Sequence, residues 1–496
     1  MGSAMAEAFL QVLQLQHLGW MLIGVSVGLV VGVIPGLGGA VGMSLLIPFL
    51  FGMDPFNGMA MLIGMAAVVQ TTDTIPSVLL GIPGSSASQA TVLDGYPMAR
   101  QGKAGMALGA AFTVSMVGGL IGAASLALTI TIIRPIVLSL NSTDFLMFSV
   151  LGLSMVAVLA RGSALRGLGA ASLGLVLGSI GLAPQAAEFR YTFGSVYLLD
   201  GVPIVVVALG LFALPELVDL LASGKSIASG GQVISGRFDG VKAAMRHKWL
   251  ITRSALLGTT IGALPGLGGS VVDWLAYGLA RTTSRNNENF GKGDIRGVIA
   301  PESANNATTA GALVPTLMFG IPGSPSTAIL LGGLMLLGVR AGPDMVGPQL
   351  PLTLSIIWTL AIANIFATLA CFSLTRQIAK ISTIRPSRLV PYLIIVMFIA
   401  AFQSSFSWGD IIAFLVIGAL ALVMKRFGWP RAPFLIGYIL APITERYLFV
   451  SMSRYGFDFL TFPRVIVFLI ITLLVIIFGS RGGSRTTNME TQEAGQ

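Results

Sequence analysis

The stretch "GALPGLGGSVVDW" (Gly262–Trp274) and its near copy "GVIPGLGGAVG" (Gly32–Gly42) decide how this chain is read. Each interrupts an apolar run with proline and closely spaced glycines, residues that end a helix rather than continue it. The surroundings of both are hydrophobic enough to lie in a bilayer. Two helices broken in the same way therefore need a reason.

The chain has 496 residues, 54% of them hydrophobic and 10% charged, with a mean hydropathy of +0.87. These values exclude an ordinary soluble domain and define a polytopic, all-α membrane protein. Runs of spanning length recur from "LGWMLIGVSVGLVVGVI" at Leu18 to "VIVFLIITLLVIIF" at Val465. No separate soluble domain fits between them. The first twenty residues lack the basic region and cleavage site of a secretory signal, so the first helix is expected to stay in the mature protein. One cysteine, Cys371, and two histidines, His17 and His247, leave no material for a disulfide, a zinc site or a histidine triad. The net charge of +9 gathers at Lys225, Arg237, Lys242, Arg246, Lys248 and Arg253 beside helix ends, which reads as cytoplasmic flanking and not as a nucleic-acid surface.

The loop charges mostly alternate. "FGMDPFNG" at Phe51 has no Lys or Arg and reads as outside, whereas Arg100 and Lys103, Arg161 and Arg166, and the Lys225–Arg253 stretch read as inside. Arg281, Arg285, Lys292 and Arg296 read as inside again, as do Arg376 to Arg388 and Lys425, Arg426 and Arg431; Arg446 and Arg454 fall outside under this count. The chain also repeats internally, because "TIPSVLLGIPGSSAS" from Thr74 aligns with "LVPTLMFGIPGSPST" from Leu313. Each half thus holds a PGLGG break followed by a GIPGS break. The loop after the first PGLGG lacks basic residues and the loop after the second has four, which predicts inverted repeats with broken helices or re-entrant hairpins. The expected organisation is a first membrane repeat over 1–222, a basic cytoplasmic linker over 223–248, a second membrane repeat over 249–480 and a polar tail over 481–496.

Broken helices survive in a membrane only where protein or a water-filled cavity covers the freed backbone groups. Four matched breaks predict such a cavity. Pro35 and Pro265 suit the first turn of a new helix, and Gly36, Gly38, Gly39, Gly266, Gly268 and Gly269 let a ligand reach exposed amides, which favour anions. Beside the second break of each half stand Gly84, Ser85, Ser86 and Ser88, and Gly323, Ser324, Ser326 and Thr327, with Ser270 after the second PGLGG. Their hydroxyls can donate to carboxylate oxygens. These residues are the expected substrate site.

"GVIAPESANNATTAGALVP" (Gly297–Pro315) adds Glu302, Ser303, Asn305 and Asn306, whose oxygens suit a hard cation such as sodium. Capping of free helix amides is an equal reading for Ser303. Asp73 and Asp273 are carboxylates in apolar stretches and join this expected cation group as cation partners or proton relays. Asp94 in "LDGYP" reads as a turn or helix-end residue.

Together, "PGLGG", "GIPGSSASQATVLDGYPMARQGKAGMALG", "FGKGDIRGVIAPESANNATTAGALVPTLMFGIPGS" and "GVRAGPDM" resemble the large membrane subunit of the tripartite tricarboxylate transporters, the TctA family. The resemblance spans most of the chain. It implies a bacterial inner-membrane secondary transporter that takes a carboxylate from a periplasmic binding protein, works with a small membrane subunit, and imports citrate or a related acid with sodium. By analogy with related ion transporters it implies a homodimer with elevator-type motion. The chain departs from the family pattern at "VVQTTDTIPS", where Asp73 replaces a small residue, and at "SVVDW", which carries Asp273. No cofactor is expected beyond a coupling ion, sodium or a proton. A trianion entering against 100 mV faces ~7 kcal/mol at ~2.3 kcal/mol per charge, so coupled cations are needed. Two rivals stand beside transport: an intramembrane aspartyl enzyme using Asp73 and Asp273 as a pair, and an anion channel.

Overall fold

The computed structural model describes residues 2–159, 164–183, 185–223, 235–266, 268–381 and 386–477. The polar tail therefore lies outside the described residues. Seven helices are long and apolar enough to cross a membrane, and six shorter apolar helices accompany them among the described residues. The chain is a multi-pass helical membrane protein, with one short antiparallel pair, β1 (Gly181–Ala183) and β2 (Glu188–Arg190), in a loop.

The first half opens with α1 (Gly2–Val12) and α2 (Leu15–Val33), turns at the first PGLGG, and resumes as α3 (Gly38–Leu46). Next come α4 (Pro55–Thr72) and α5 (Thr74–Leu80), the first GIPGS turn, α6 (Gln89–Arg100) and the long α7 (Ala104–Leu138). α4 starts sharply because the Asp54 carboxylate accepts from the amides of Phe56 and Asn57, with Pro55 in the first turn. α8 (Ser142–Leu159), α9 (Ala164–Gly178) and α10 (Ile204–Ala208) follow, and α10 passes through a π-helical turn into α11 (Leu214–Ser223).

The second half runs in the same order. α12 (Arg237–Arg246) and α13 (Lys248–Gly262) precede the second PGLGG and α14 (Gly268–Thr283); α15 (Arg296–Phe319) leads to the second GIPGS and α16 (Pro325–Leu336). After α17 (Pro343–Val346) come α18 (Leu350–Ile381), α19 (Pro386–Gln403), α20 (Trp408–Arg426), α21 (Arg431–Tyr455) and α22 (463–477). Within the basic stretch between the halves, the described part is helical, and α12 packs along α7 much as α1 packs along α18.

Small residues bring these helices together. In α2, Gly24 and Gly28 lie against the backbone of Met61 and Met65 in α4; in α13, Gly258 and Gly262 lie against Ala304 and Thr308 in α15. Side chains at the i, i+4 positions of either pair would drive the helices apart, since close backbone approach supplies the dispersion contact that lipid cannot. The α2–α4 and α13–α15 pairs meet α18 and α7, and α15 crosses to α7 of the other half. A second group, α8, α9 and α21 with α10, α11 and α20, packs beside this bundle.

Candidate substrate and cation site

Each PGLGG turn is fastened to the GIPGS turn of its own half by one hydrogen bond, Gly36 N to Gly84 O at 3.1 Å and Gly266 N to Gly323 O at 3.3 Å. Gly36 and Gly266 hold φ of +88° and +89°, in the left-handed region that favours glycine. α5 and α15 both end on a glycine at φ +69°, Gly81 and Gly320. A hydroxyl seven residues before each GIPG glycine steadies the turn: Gly84 N donates to Ser77 Oγ at 3.2 Å and Gly323 N to Thr316 Oγ1 at 3.4 Å. The alignment that paired Pro76 with Pro315 thus pairs these hydrogen bonds as well.

Pro35 and Pro265 occupy the turns themselves, three residues ahead of α3 and α14, and not the first turn of the new helix. The left-handed glycine behind each proline adds another turn of chain before the helix begins. In the second GIPGS, Pro325 does stand in the first turn of α16, behind a capping box in which Ser324 and Thr327 exchange hydrogen bonds.

The four turns enclose a cavity of about 790 Å³. Gly36, Gly38, Gly39, Ser85 and Ser86 line it from one half, and Gly266, Gly269, Gly323, Ser324, Ser326 and Thr327 from the other. Pro35, Gly84, Ser88 and Pro265 are not in the wall. Ser88 is buried behind it, accepting from Ser85 N at 3.2 Å, and Gly84 stands between the two turns. The surroundings of Gly268 and Ser270 lie outside the described residues.

Sequence reasoning missed a further part of the wall, formed by Phe212, Glu216, Lys425, Trp429 and Arg431. Arg431 pairs with Glu216 at 2.7 Å and donates to Leu211 O at 3.0 Å, and Lys425 pairs with the other Glu216 oxygen at 2.8 Å. Lys425 is also paired with Asp219, so two cations answer two carboxylates and the cluster is balanced in charge. Arg431 reads in the sequence only as a topology marker, and the overlooked signal is Glu216 set in the apolar run "GLFALPELV".

Behind the turns lie the expected cation residues. Glu302 is fully buried and accepts from Thr74 Oγ1 at 2.5 Å, Thr91 Oγ1 at 2.6 Å and Ser115 Oγ at 3.5 Å. Asp273 accepts from Ala90 N at 2.6 Å, so it caps α6 from the other half of the chain. Asp73 accepts from Ser85 Oγ at 2.5 Å. One oxygen of Asp73, one of Asp273 and the Asn305 Oδ1 are buried without a hydrogen-bond partner. Asn306 bridges Thr71 at 2.9 Å and Asn364 at 3.0 Å, and Ser303 donates to Ile251 O at 2.8 Å, ties that join α15 to its neighbours. Ser303 sits inside α15 and caps no helix terminus. No group of three or more His, Cys, Asp or Glu converges for a metal ion among the described residues.

Asp94 is a correction. It is buried within α6, where one oxygen accepts from the amides of Gly291, Gly293 and Asp294 at 2.8–2.9 Å and the other from Tyr277 at 2.9 Å. It anchors the "FGKGD" loop in a way that sequence spacing does not reveal.

The glycines of the wall differ in tolerance. A Cβ on Gly39 would meet the mobile Ser326 hydroxyl at 3.0 Å, whereas one on Gly269 would stand 2.6 Å from the Ala87 methyl. Gly39→Leu is therefore expected to fill the cavity and cut uptake by about tenfold or more while the protein still folds, as measured by transport rate and melting temperature together. Gly269→Leu is expected to lower the melting temperature too.

Broken helices meeting around a cavity in a helical membrane protein are the architecture of a transporter. The chain belongs to the tripartite tricarboxylate transporter TctA family, which residues 18–436 match. A 52.8 kDa uncharacterized protein in the TAR-I ttuC' 3' region of Agrobacterium vitis is 32% identical over 440 residues, 86% of either chain. Another Agrobacterium vitis protein, in the TAR-II ttuC' 3' region, is 34% identical over 191 residues, 38% of this chain and 79% of its own length. No solved structure matches. Membership in a tripartite system implies two partners, a small membrane subunit and a solute-binding protein.

Proposed function

We propose that this protein is the membrane carrier of a system that imports a di- or tricarboxylate of the citrate type across the bacterial inner membrane, receiving it from a periplasmic binding protein and coupling its entry to a monovalent cation. The observation that carries this reading is one cavity bounded by turns from both halves and lined by the hydroxyls of Ser85, Ser86, Ser324 and Ser326 together with Arg431 and Lys425. Carboxylate oxygens accept from Ser85, Ser86, Ser324 and Ser326, and a second carboxylate of the same molecule competes with Glu216 and Asp219 for Arg431 and Lys425. The Asp73, Asp273, Glu302 and Asn305 group accommodates the cation, sodium first and a proton second. The two halves act as inverted repeats, and the broken-helix bundle moves in elevator fashion against α8–α11 and α19–α21, with a second copy as dimer partner.

An aspartyl enzyme is disfavoured because the Asp73 and Asp273 carboxylates bond to Ser85 and to the Ala90 amide, not to each other. The test is uptake of labelled citrate, malate, succinate and tartrate by cells expressing the chain with its two partners, with and without sodium and proton gradients. Accumulation of one acid against its gradient is the expected result and also excludes a channel. Equilibration without accumulation, or no uptake with folded protein present, overturns the reading.

A further inference from the structure

We propose that Asp73 withholds the Ser85 hydroxyl from the substrate until a monovalent cation neutralises it, so that Asp73 links cation binding to carboxylate binding. The inference rests on the carboxylate-transport reading above and assigns the coupling within it.

The Ser85 hydroxyl has one hydrogen. Its oxygen accepts from Ala87 N at 3.0 Å, and its hydrogen is given to Asp73 at 2.5 Å. Ser85 also lines the cavity. While Asp73 is an anion, Ser85 therefore faces an incoming carboxylate with its donor already spent and a like charge directly behind it. Neutralisation reverses both conditions. If the cation is a proton, the carboxyl becomes the donor to Ser85 Oγ, and the serine hydrogen turns into the cavity. If it is sodium, the ion takes up the carboxylate's charge and weakens the serine's hold on it.

Two of the three acids behind the cavity, Asp73 and Asp273, keep one oxygen without a hydrogen bond, and of these only Asp73 holds a hydroxyl that lines the cavity. Glu302 accepts from three hydroxyls, and Asp273 from a helix N-terminus. Ser85 donates to one Asp73 oxygen and the Asn305 side chain lies beside the carboxylate, while the second oxygen makes no hydrogen bond of good geometry although the residue is fully buried. The charged groups facing it are both acids, Glu302 on α15 and Asp273 on α14, so among the described residues no cation balances it there. A buried carboxylate in that position calls for a cation from outside.

The second half shows that the carboxylate is not needed to build the turn. Gly84 packs against the backbone of Asp73, and Gly323 packs in the same way against Ala312. Where the first half has Asp73, the second has a methyl group, and the turn there has the same glycine geometry. Ser324, the counterpart of Ser85, caps α16 and answers to no acid. The device belongs to one half only.

Binding of labelled citrate, malate and succinate to the purified complex of this chain with its small subunit tests the proposal, in one series against sodium at fixed pH and in another against pH without sodium. The wild type is expected to tighten about tenfold as the coupling cation rises, and the series that responds identifies sodium or the proton. Asp73→Asn is expected to flatten that response, and Ser85→Ala to weaken binding and cut the response to about threefold, since only the charge effect remains. A merely structural role for Asp73 lowers the yield of folded protein without flattening the curve. Full cation dependence in folded Asp73→Asn overturns the proposal; should that variant not fold, full dependence in Ser85→Ala overturns it instead. A wild type that binds an acid with no response to either cation also overturns it, whereas a wild type that binds none of the acids defeats the carboxylate reading first.

Discussion

Glu302→Gln is expected to reduce uptake by about a hundredfold or more in protein that still reaches the membrane, because it removes the most heavily coordinated charge behind the cavity. Thr74, Thr91 and Ser115 lie on α5, α6 and α7, all in the first half, and Glu302 lies on α15 in the second. The carboxylate thus joins the halves directly behind the substrate turns. An amide of the same shape keeps one accepting oxygen and turns an N–H₂ group toward hydroxyls that must reorient to accept it, so charge-assisted bonds become neutral ones. Hydrogen bonds to a charged group contribute about 1.5–3 kcal/mol each, more than neutral ones. Glu302→Ala leaves three buried hydroxyls without their acceptor and is expected to lower the yield of folded protein as well. Initial uptake rates normalised to membrane-inserted protein, with melting temperatures of both variants, check this. Wild-type rates in Glu302→Gln would remove the residue from the coupling machinery.

The second large effect lies away from the cavity. Asp94→Ala removes the acceptor of three backbone amides at once, in a loop where Gly291 is exposed and Gly293 and Asp294 are half-buried, so water takes over part of the lost bonding. A destabilisation of roughly 2 kcal/mol is therefore expected, together with release of the loop carrying Arg285 and Lys292. Asp94→Asn keeps one oxygen for those amides and, because the Tyr277 hydroxyl can accept as well as donate, is expected to lose less than half as much. Limited trypsin digestion of detergent-solubilised protein reads both consequences. The alanine variant is expected to be cut in the 285–292 region well before the wild type, and equal resistance would show that Asp94 does not hold the loop.

The positions of the breaks were legible because proline and glycine act locally. Gly81 and Gly320 end their helices at the same left-handed φ, and the pairing of Ser77 with Thr316 follows from the aligned "GIPGS" motifs. Where the helices restart was not legible. Pro35 and Pro265 suit a first turn by propensity, but the hydrogen bonds from Gly36 and Gly266 to the neighbouring turns hold the chain in a further loop. The ion-paired cluster in the cavity wall was hidden for a different reason. Glu216, Lys425 and Arg431 are about two hundred residues apart in the chain at the widest, and only packing of α11 against α20 and of the π-helical turn against α21 brings them together. Asp94 illustrates the same limit, since a buried aspartate and a turn aspartate have the same local sequence preferences. Asn306 and Ser303 stand in the motif picked out for cation binding, and their side chains also reach Asn364 and Ile251 on neighbouring helices, contacts that spacing along α15 does not show, while the Asn306 Oδ1 stays buried without a hydrogen bond.

The central claim is that turns from both halves form one carboxylate site. Its most direct test is protection of single cysteines placed at Ser86 and Ser326, one in each half and both lining the cavity. Cys371 is buried and gives a quiet background. Labelling of each variant by a small charged thiol reagent is measured with increasing concentrations of the transported acid. The acid is expected to slow labelling at both positions with the same half-maximal concentration. Protection at only one position, or at neither while transport persists, would contradict a shared site.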